Sequence, residues 1–266
     1  MSEHRIEVAP AIWQWVLSSV ILSEENLATL NEWMNDKKRP TFNQLEAFSK
    51  KTRIPIGYFF LETPPKDEFK LLEYRTVNST TTQIPSRDLI DTVNQMENAQ
   101  EWMRDYLISI GADKIDYVGS VSLNNDIVTV AASVRERLRL DYNWFEMSSS
   151  IDDSFKILRE AIGKAGVLIM MNGIVGNNTR RSLNVEEFRA FTLIDEFAPL
   201  IFINATDSMS GKVFSLIHEF VHIGIAQNSL YNASLDEFQV VSPVESFCNA
   251  VTVEIIAPLD IFKEKW

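Results

Sequence analysis

The stretch Phe214–Gln227 reads FSLIHEFVHIGIAQ and contains His218-Glu219-Phe220-Val221-His222, the H-E-x-x-H pattern of a zinc hydrolase helix. At about 100° per residue, Val213, Leu216, Ile217, Phe220 and Gly224 share one broad apolar face. Ser215, His218, Glu219 and His222 form a polar stripe on the opposite side. One turn separates the two histidines, so both imidazoles can reach a single ion. Glu219 lies beside them, where a carboxylate can take a proton from water activated by that ion. The chain has three histidines, and two of them fall in this motif, which favours a metal site over a chance pair of surface residues.

Two histidines leave a zinc ion short of a third protein ligand and an open position. The candidates downstream are Asp236, Glu237, Glu245 and Glu254. Residues 242–258, SPVESFCNAVTVEIIAP, predict a second helix, with Ser242 as its N-cap, Pro243 in its first turn and Pro258 as its stop. Glu245 and Asn249 share a face at i, i+4. Glu254 falls about half a turn away from Glu245 and cannot serve the same ion. Glu245 is therefore the favoured ligand, and Asn249 is expected to orient an imidazole. The competing role for Glu245 is a capping box, Ser242-x-x-Glu245. Glu254 is expected to be exposed or ion-paired.

With these residues in view, the chain resembles the ImmA/IrrE metallo-endopeptidases. Residues 166–205, GVLIMMNGIVGNNTRRSLNVEEFRAFTLIDEFAPLIFINA, followed by Asp207 and FSLIHEFVHI, resemble that family's order of strands before the zinc helix. Glu245-x-x-Cys248-Asn249 and Pro258 resemble its downstream block. The resemblance covers most of residues 151–266 and implies Zn²⁺ held by His218, His222 and Glu245, with Glu219 as the catalytic carboxylate. Phe220-Val221 and Val251-Thr252-Val253 depart from the smaller residues common there, at packing positions. Members often continue past this block, whereas this chain ends at Trp266, so a C-terminal truncation of the domain is an expectation to weigh.

Three regions are predicted. Residues 1–63 form a small helical module, with helices over Ala11–Ser19, over EENLATLNEWM after the cap Ser23, and over Phe42–Lys51. Trp33, Arg39-Pro40-Thr41, Gln44-Leu45, Phe48, Ile54-Pro55 and Phe59-Phe60-Leu61 resemble the Xre-type helix-turn-helix module that precedes the protease domain in many family members. The segment between Ser19 and Trp33 is too short for the usual two helices, and its helix carries Glu24, Glu25 and Glu32 without a Lys or Arg. A degenerate, protein-binding or packing module is thus favoured over sequence-specific DNA binding through Lys37, Lys38, Arg39, Lys50, Lys51 and Arg53.

Residues 64–150 read as a helical spacer. A linker spans Thr63–Asp67, an extended segment Leu71–Thr76 and a polar loop Asn78–Gln83. Long helices are predicted over Asp88–Ile110 and Ile127–Leu140. Trp102, Met103 and Tyr106 are expected in the core rather than in a binding stripe. Arg135, Arg137 and Arg139 suit a helix C-terminus better than an anion site.

Residues 151–266 form the catalytic domain, giving an α+β, zincin-like class: a small sheet plus the H-E-x-x-H helix. A helix over Asp152–Ala165 leads to strands over Gly166–Met171, Phe188–Ile194 and Pro199–Asn204. Arg180 and Arg181 are expected in a solvated loop. Asp207, Ser208 or Ser210 is expected to cap the zinc helix. An edge strand of the sheet favours a polypeptide substrate over a small molecule.

The net charge of −12 argues against general nucleic-acid affinity. The single cysteine, Cys248, cannot form an internal disulfide, suits a reducing cytosol and reads as a small core residue. No apolar run reaches the ~18 residues of a membrane helix, and the N-terminus lacks a signal core, so a cytoplasmic protein is expected.

The expected activity is zinc-dependent peptide-bond hydrolysis. Tyr231 is the candidate for oxyanion stabilisation alongside the ion. The resemblance implies a specific repressor or antitoxin-like regulator as substrate, cut in a stress or mobile-element response. The alternative is an antitoxin-like or regulatory binding protein, with a toxin-like protein or DNA as partner and the zinc fold as scaffold.

Overall fold

The computed structural model describes residues 5–35, 38–65, 85–231 and 242–265. The predicted extended segment Leu71–Thr76, the loop Asn78–Gln83, the pair Asp36-Lys37 and the candidates Asp236 and Glu237 lie outside the described residues. The chain divides into two compact units, Met1–Phe69 with Thr81–Asp91, and Lys70–Thr80 with Thr92–Trp266.

The first unit holds helices α1 (Pro10–Ser19), α2 (Glu24–Met34) and α3 (Phe42–Thr52), closed by a 3₁₀ turn over Ile56–Phe60. Their starts follow from local chemistry. Pro10 opens α1, Ser23 Oγ accepts the Asn26 amide, and Thr41 with Gln44 forms a reciprocal capping box. Ile12, Trp13, Leu30, Trp33, Phe48 and Phe59 fill the core. Trp33 meets Phe48 edge-on at 5.1 Å between ring centroids.

Helix α4 (Arg87–Ser109) leads to α5 (Ile127–Leu138) and α6 (Ile151–Lys164). Leu89 and Val93 of α4 are buried, but Trp102 and Tyr106 are not: they are 67% and 49% exposed and stack on each other. That corrects the expected core role. The side of α4 that meets the sheet carries Gln100, whose amide donates to the carbonyls of Leu193 and Ala198 at 2.8 and 2.9 Å. Trp102 lies about 200° round the helix from Gln100. The arginines of α5 also have structural partners. Arg135 is buried and donates to the Glu254 carbonyl, and Arg137 pairs with Asp116.

The sheet is mixed, in the order β1 (Leu168–Asn172), β5 (Leu200–Asn204), β4 (Ala190–Leu193), β6 (Ser229–Tyr231). The β1–β5 pair is parallel and the others are antiparallel. A separate hairpin joins β2 (Ile174–Val175) and β3 (Asn178–Ser182), so Arg180 and Arg181 stand on a strand rather than in the expected loop. Gly176 makes its turn at φ 55°, where a side chain is disfavoured.

Strands β4 and β5 are buried throughout. Ala190, Ile201 and Ile203 join the core formed with Leu216, Ile217 and Phe220 of α7 (Met209–Ile225). Phe191 and Phe202, opposite each other in register, stack at 5.0 Å on the other face. Helices α8 (Pro243–Ile256) and α9 (Leu259–Lys265) complete an α+β unit. Among the described residues, no helix is long and apolar enough to cross a membrane.

Candidate metal centre

Helix α7 is fixed at both ends. Ser208 Oγ accepts the Gly211 amide at 3.1 Å, as its cap role requires. Ahead of it, Asp207 is buried and paired with Arg189 at 2.6 Å. At the far end Ala226 takes the left-handed conformation, φ 59°, and turns the chain back into β6. Tyr117 stacks on Phe220 at 4.5 Å, and its ring occupies the space a Cβ at Gly224 would need. The helix is buried on every side from Ser215 to Gly224, so the polar stripe is as enclosed as the apolar face.

Helix α8 brings the third residue. Ser242 caps it by accepting the Glu245 amide at 3.2 Å. Its C-terminal carbonyls are held from outside: Arg135 donates to Glu254 O at 2.9 Å, and Trp144 Nε1 donates to Ile255 O at 3.0 Å. Cys248, Val251 and Ile255 pack it into the core shared with α7. Cys248 is thus the small core residue its position implied.

The Glu245 carboxylate reaches past its own helix terminus to the imidazoles. Its oxygens lie 3.1 Å from His218 Nε2 and 3.2 Å from His222 Nε2, and the two Nε2 atoms are 3.1 Å apart. These ligand atoms form the one cluster among the described residues that could hold a metal ion. Both histidines are buried, while the Glu245 side chain keeps 20% exposure.

The spacing suits a metal. Bonds of about 2.0–2.1 Å in a tetrahedron put neighbouring ligand atoms about 3.3 Å apart. Two nitrogens and one carboxylate oxygen form a three-ligand set that leaves a fourth position for substrate or water.

The charges are coupled. Burial opposes a proton on His222, but contacts with Cys248 and Glu245 outweigh it and raise its pKa well above 6.5. Burial likewise opposes charge on Glu245, yet the two imidazoles pull its carboxyl far below the usual carboxylate range. Burial pushes the Cys248 thiol up.

The other predicted residues are placed as follows. Glu219 is wholly buried, and its Oε2 accepts hydrogen bonds from Thr192 Oγ1 at 2.5 Å and from Ser229 Oγ. Asn249 sits one turn beyond Glu245, and its buried Oδ1 has no hydrogen-bond partner among the described residues. The backbone of Tyr231 ends β6 opposite Ala190, and its side chain lies outside the described residues. Glu254 is half-buried and accepts the Leu259 amide, away from the cluster. Thr192 and Ser229 were not candidates from sequence. Thr192 carries one signal, a lone polar residue in the apolar run 190–194, whereas Ser229 follows Gln227 and Asn228 and carries none.

No protein-family model matches the chain, and no curated protein or solved structure does either.

Proposed function

We propose that the chain is a zinc-dependent endopeptidase of zincin-like architecture. The convergence of His218, His222 and Glu245, together with the buried carboxylate of Glu219 next to His218 in sequence, carries this reading. A structural metal site has no use for a second, non-ligating acid. Zinc held by the three residues would supply Lewis acidity toward a scissile carbonyl and lower the pKa of water toward about 7.

The remaining chemistry belongs to the chain. Glu219 takes a proton from the attacking water as the water oxygen joins the carbonyl carbon. It then delivers that proton to the amine nitrogen as the C–N bond breaks. Glu245, the partly exposed member of the cluster, marks the side from which substrate enters. The resemblance to ImmA/IrrE peptidases favours a repressor or antitoxin-like regulator as substrate. The first unit resembles an Xre-type module and is proposed to engage protein rather than DNA.

Zinc content after dialysis is the first test. One zinc per chain is expected in the wild type, with loss in His222→Ala; absence of zinc in both after reconstitution overturns the proposal. Glu219→Gln is expected to keep zinc and abolish cleavage of a co-expressed regulator. Burial of both imidazoles favours a second reading, in which the ion is structural and the protein is an antitoxin-like binding partner. Cleavage unchanged in Glu219→Gln would turn the assignment that way.

A further inference from the structure

Glu219 distributes its hydrogen bonds unevenly. Oε2 accepts two hydroxyls, while Oε1 is buried and has no hydrogen-bond partner among the described residues. A carboxylate can accept about four hydrogen bonds, and a buried oxygen with none calls for an explanation. The two donors come from different strands but the same place in the sheet: Thr192 of β4 and Ser229 of β6 are register partners. Cross-strand partners present their side chains on one face, here the face covered by α7. Both donors are buried.

The scaffold behind them is tied at several points. Ala226 reverses the chain three residues before Ser229. Asn228 Oδ1 accepts the Ile194 amide at 2.6 Å, fastening the start of β6 to the end of β4. Gln100 holds the carbonyl of Leu193, next to Thr192. Thr192 Oγ1 also lies 3.3 Å from the Glu219 backbone carbonyl oxygen, but a hydroxyl donates a single proton and its shorter contact, 2.5 Å, is to Oε2. Being neutral, the pair fixes the orientation of Glu219 without placing a positive charge beside it.

We infer that Thr192 and Ser229 are positioning residues for Glu219: they anchor Oε2 and so leave Oε1 as the oxygen that exchanges protons at the metal cluster. The inference rests on the endopeptidase reading, because it gives Oε1 a task only if Glu219 is the proton acceptor.

A hydroxamate tests both layers, since it chelates a metal through two oxygens and hands its proton to a neighbouring base. The full chain is loaded with Co²⁺ in place of zinc, and acetohydroxamate binding is read from the visible spectrum of the metal. Cobalt content and thermal midpoint are measured alongside. Glu219→Ala is expected to weaken binding. Thr192→Val combined with Ser229→Ala is expected to weaken it roughly tenfold with cobalt content unchanged, as for loss of hydrogen bonds to a charged group. Thr192→Ser, which keeps the hydroxyl, is expected to bind as the wild type does. If the double variant does not fold, Ser229→Ala alone is read, with an expected loss in the same direction.

Wild-type affinity in the folded hydroxyl-free variants, with weakened binding in Glu219→Ala, overturns the inference and leaves the endopeptidase reading standing. Wild-type affinity in Glu219→Ala overturns the role of Glu219, and the inference with it. Failure of the wild type to take up cobalt or zinc overturns the metal reading itself.

Discussion

The carboxylate of Asp207 lies against the α-carbon of Gly211, with no space between them for a methyl group. Asp207 cannot move aside easily, since it is buried and bound to Arg189. Alanine in an open helix position would gain about 1 kcal/mol over glycine. Here the forced contact is expected to dominate, and Gly211→Ala should destabilise the protein by about 1–3 kcal/mol. Urea unfolding monitored by circular dichroism checks this; a stabilised variant would show that the first turn of α7 can yield.

Metal uptake should be coupled to protons. In the metal-free protein the raised pKa of His222 means that its contribution to stability is complete below about pH 6.5 and is lost as pH climbs through the raised value. The depressed pKa of Glu245 means that its contribution is present above 4.5 and is lost as pH falls through the lowered value. The metal-free protein is therefore expected to be most stable in weakly acidic solution. Zinc must displace the proton on His222, so binding at pH 7 should release protons and tighten as pH rises. Calorimetric zinc titrations in buffers of different ionisation heat measure the release. None at pH 7 would mean that His222 is already neutral.

The end of α8 depends on two side chains far from it in sequence. Trp144→Phe keeps a six-membered aromatic ring but removes the pyrrole N–H that donates to the Ile255 carbonyl. A loss of about 1–2 kcal/mol is expected. The reciprocal check is zinc retention, which should weaken modestly because Glu245 rides on the same helix. Unchanged stability would show that another donor replaces the indole.

The first unit is predicted not to bind DNA. The described basic residues proposed as phosphate contacts are largely engaged by acids of the same unit: Lys50 with Glu46, Lys51 with Glu25, Arg39 with Glu7 and Arg53 with Asp88. Helix α2 presents Glu24 and Glu25 in its first turn. Fluorescence anisotropy with a labelled promoter duplex at about 50 mM salt should show no binding, the condition that most favours phosphate contacts. Salt-sensitive binding would contradict the prediction.

The sequence made the metal cluster legible because its chemistry is local. Two histidines one turn apart need only a helix to converge, and Ser242-Pro243 marks where the next helix starts. The face shared by Glu245 and Asn249 follows from helical geometry, although Oδ1 of Asn249 has no hydrogen-bond partner among the described residues. The support around Glu219 was not legible. Thr192 and Ser229 meet only through strand pairing, and no local pattern specifies which residues of β4 and β6 stand opposite. Trp102 illustrates a related limit of pattern: helical spacing identifies a face, while the contact that selects the buried face, here Gln100 with the sheet, is long-range. The strand that carries Arg180 and Arg181 has no apolar alternation to distinguish it from a loop, because all five of its residues are polar.

The pairing of β4 with β5 bears on which changes in chain length this fold can accept. Thr192 stands opposite Ile201 on the face toward α7, between the Phe191–Phe202 pair and the Leu193–Leu200 pair, which share the other face. A one-residue slip of β4 would exchange the two faces, removing the hydroxyl from Glu219 and turning Phe191 or Leu193 toward it. Residues 194–199, which join the two strands, can therefore vary in composition more freely than in number. A single-residue insertion there that shifted the pairing would take the hydroxyl away from the Glu219 carboxylate while leaving His218, His222 and Glu245 unchanged.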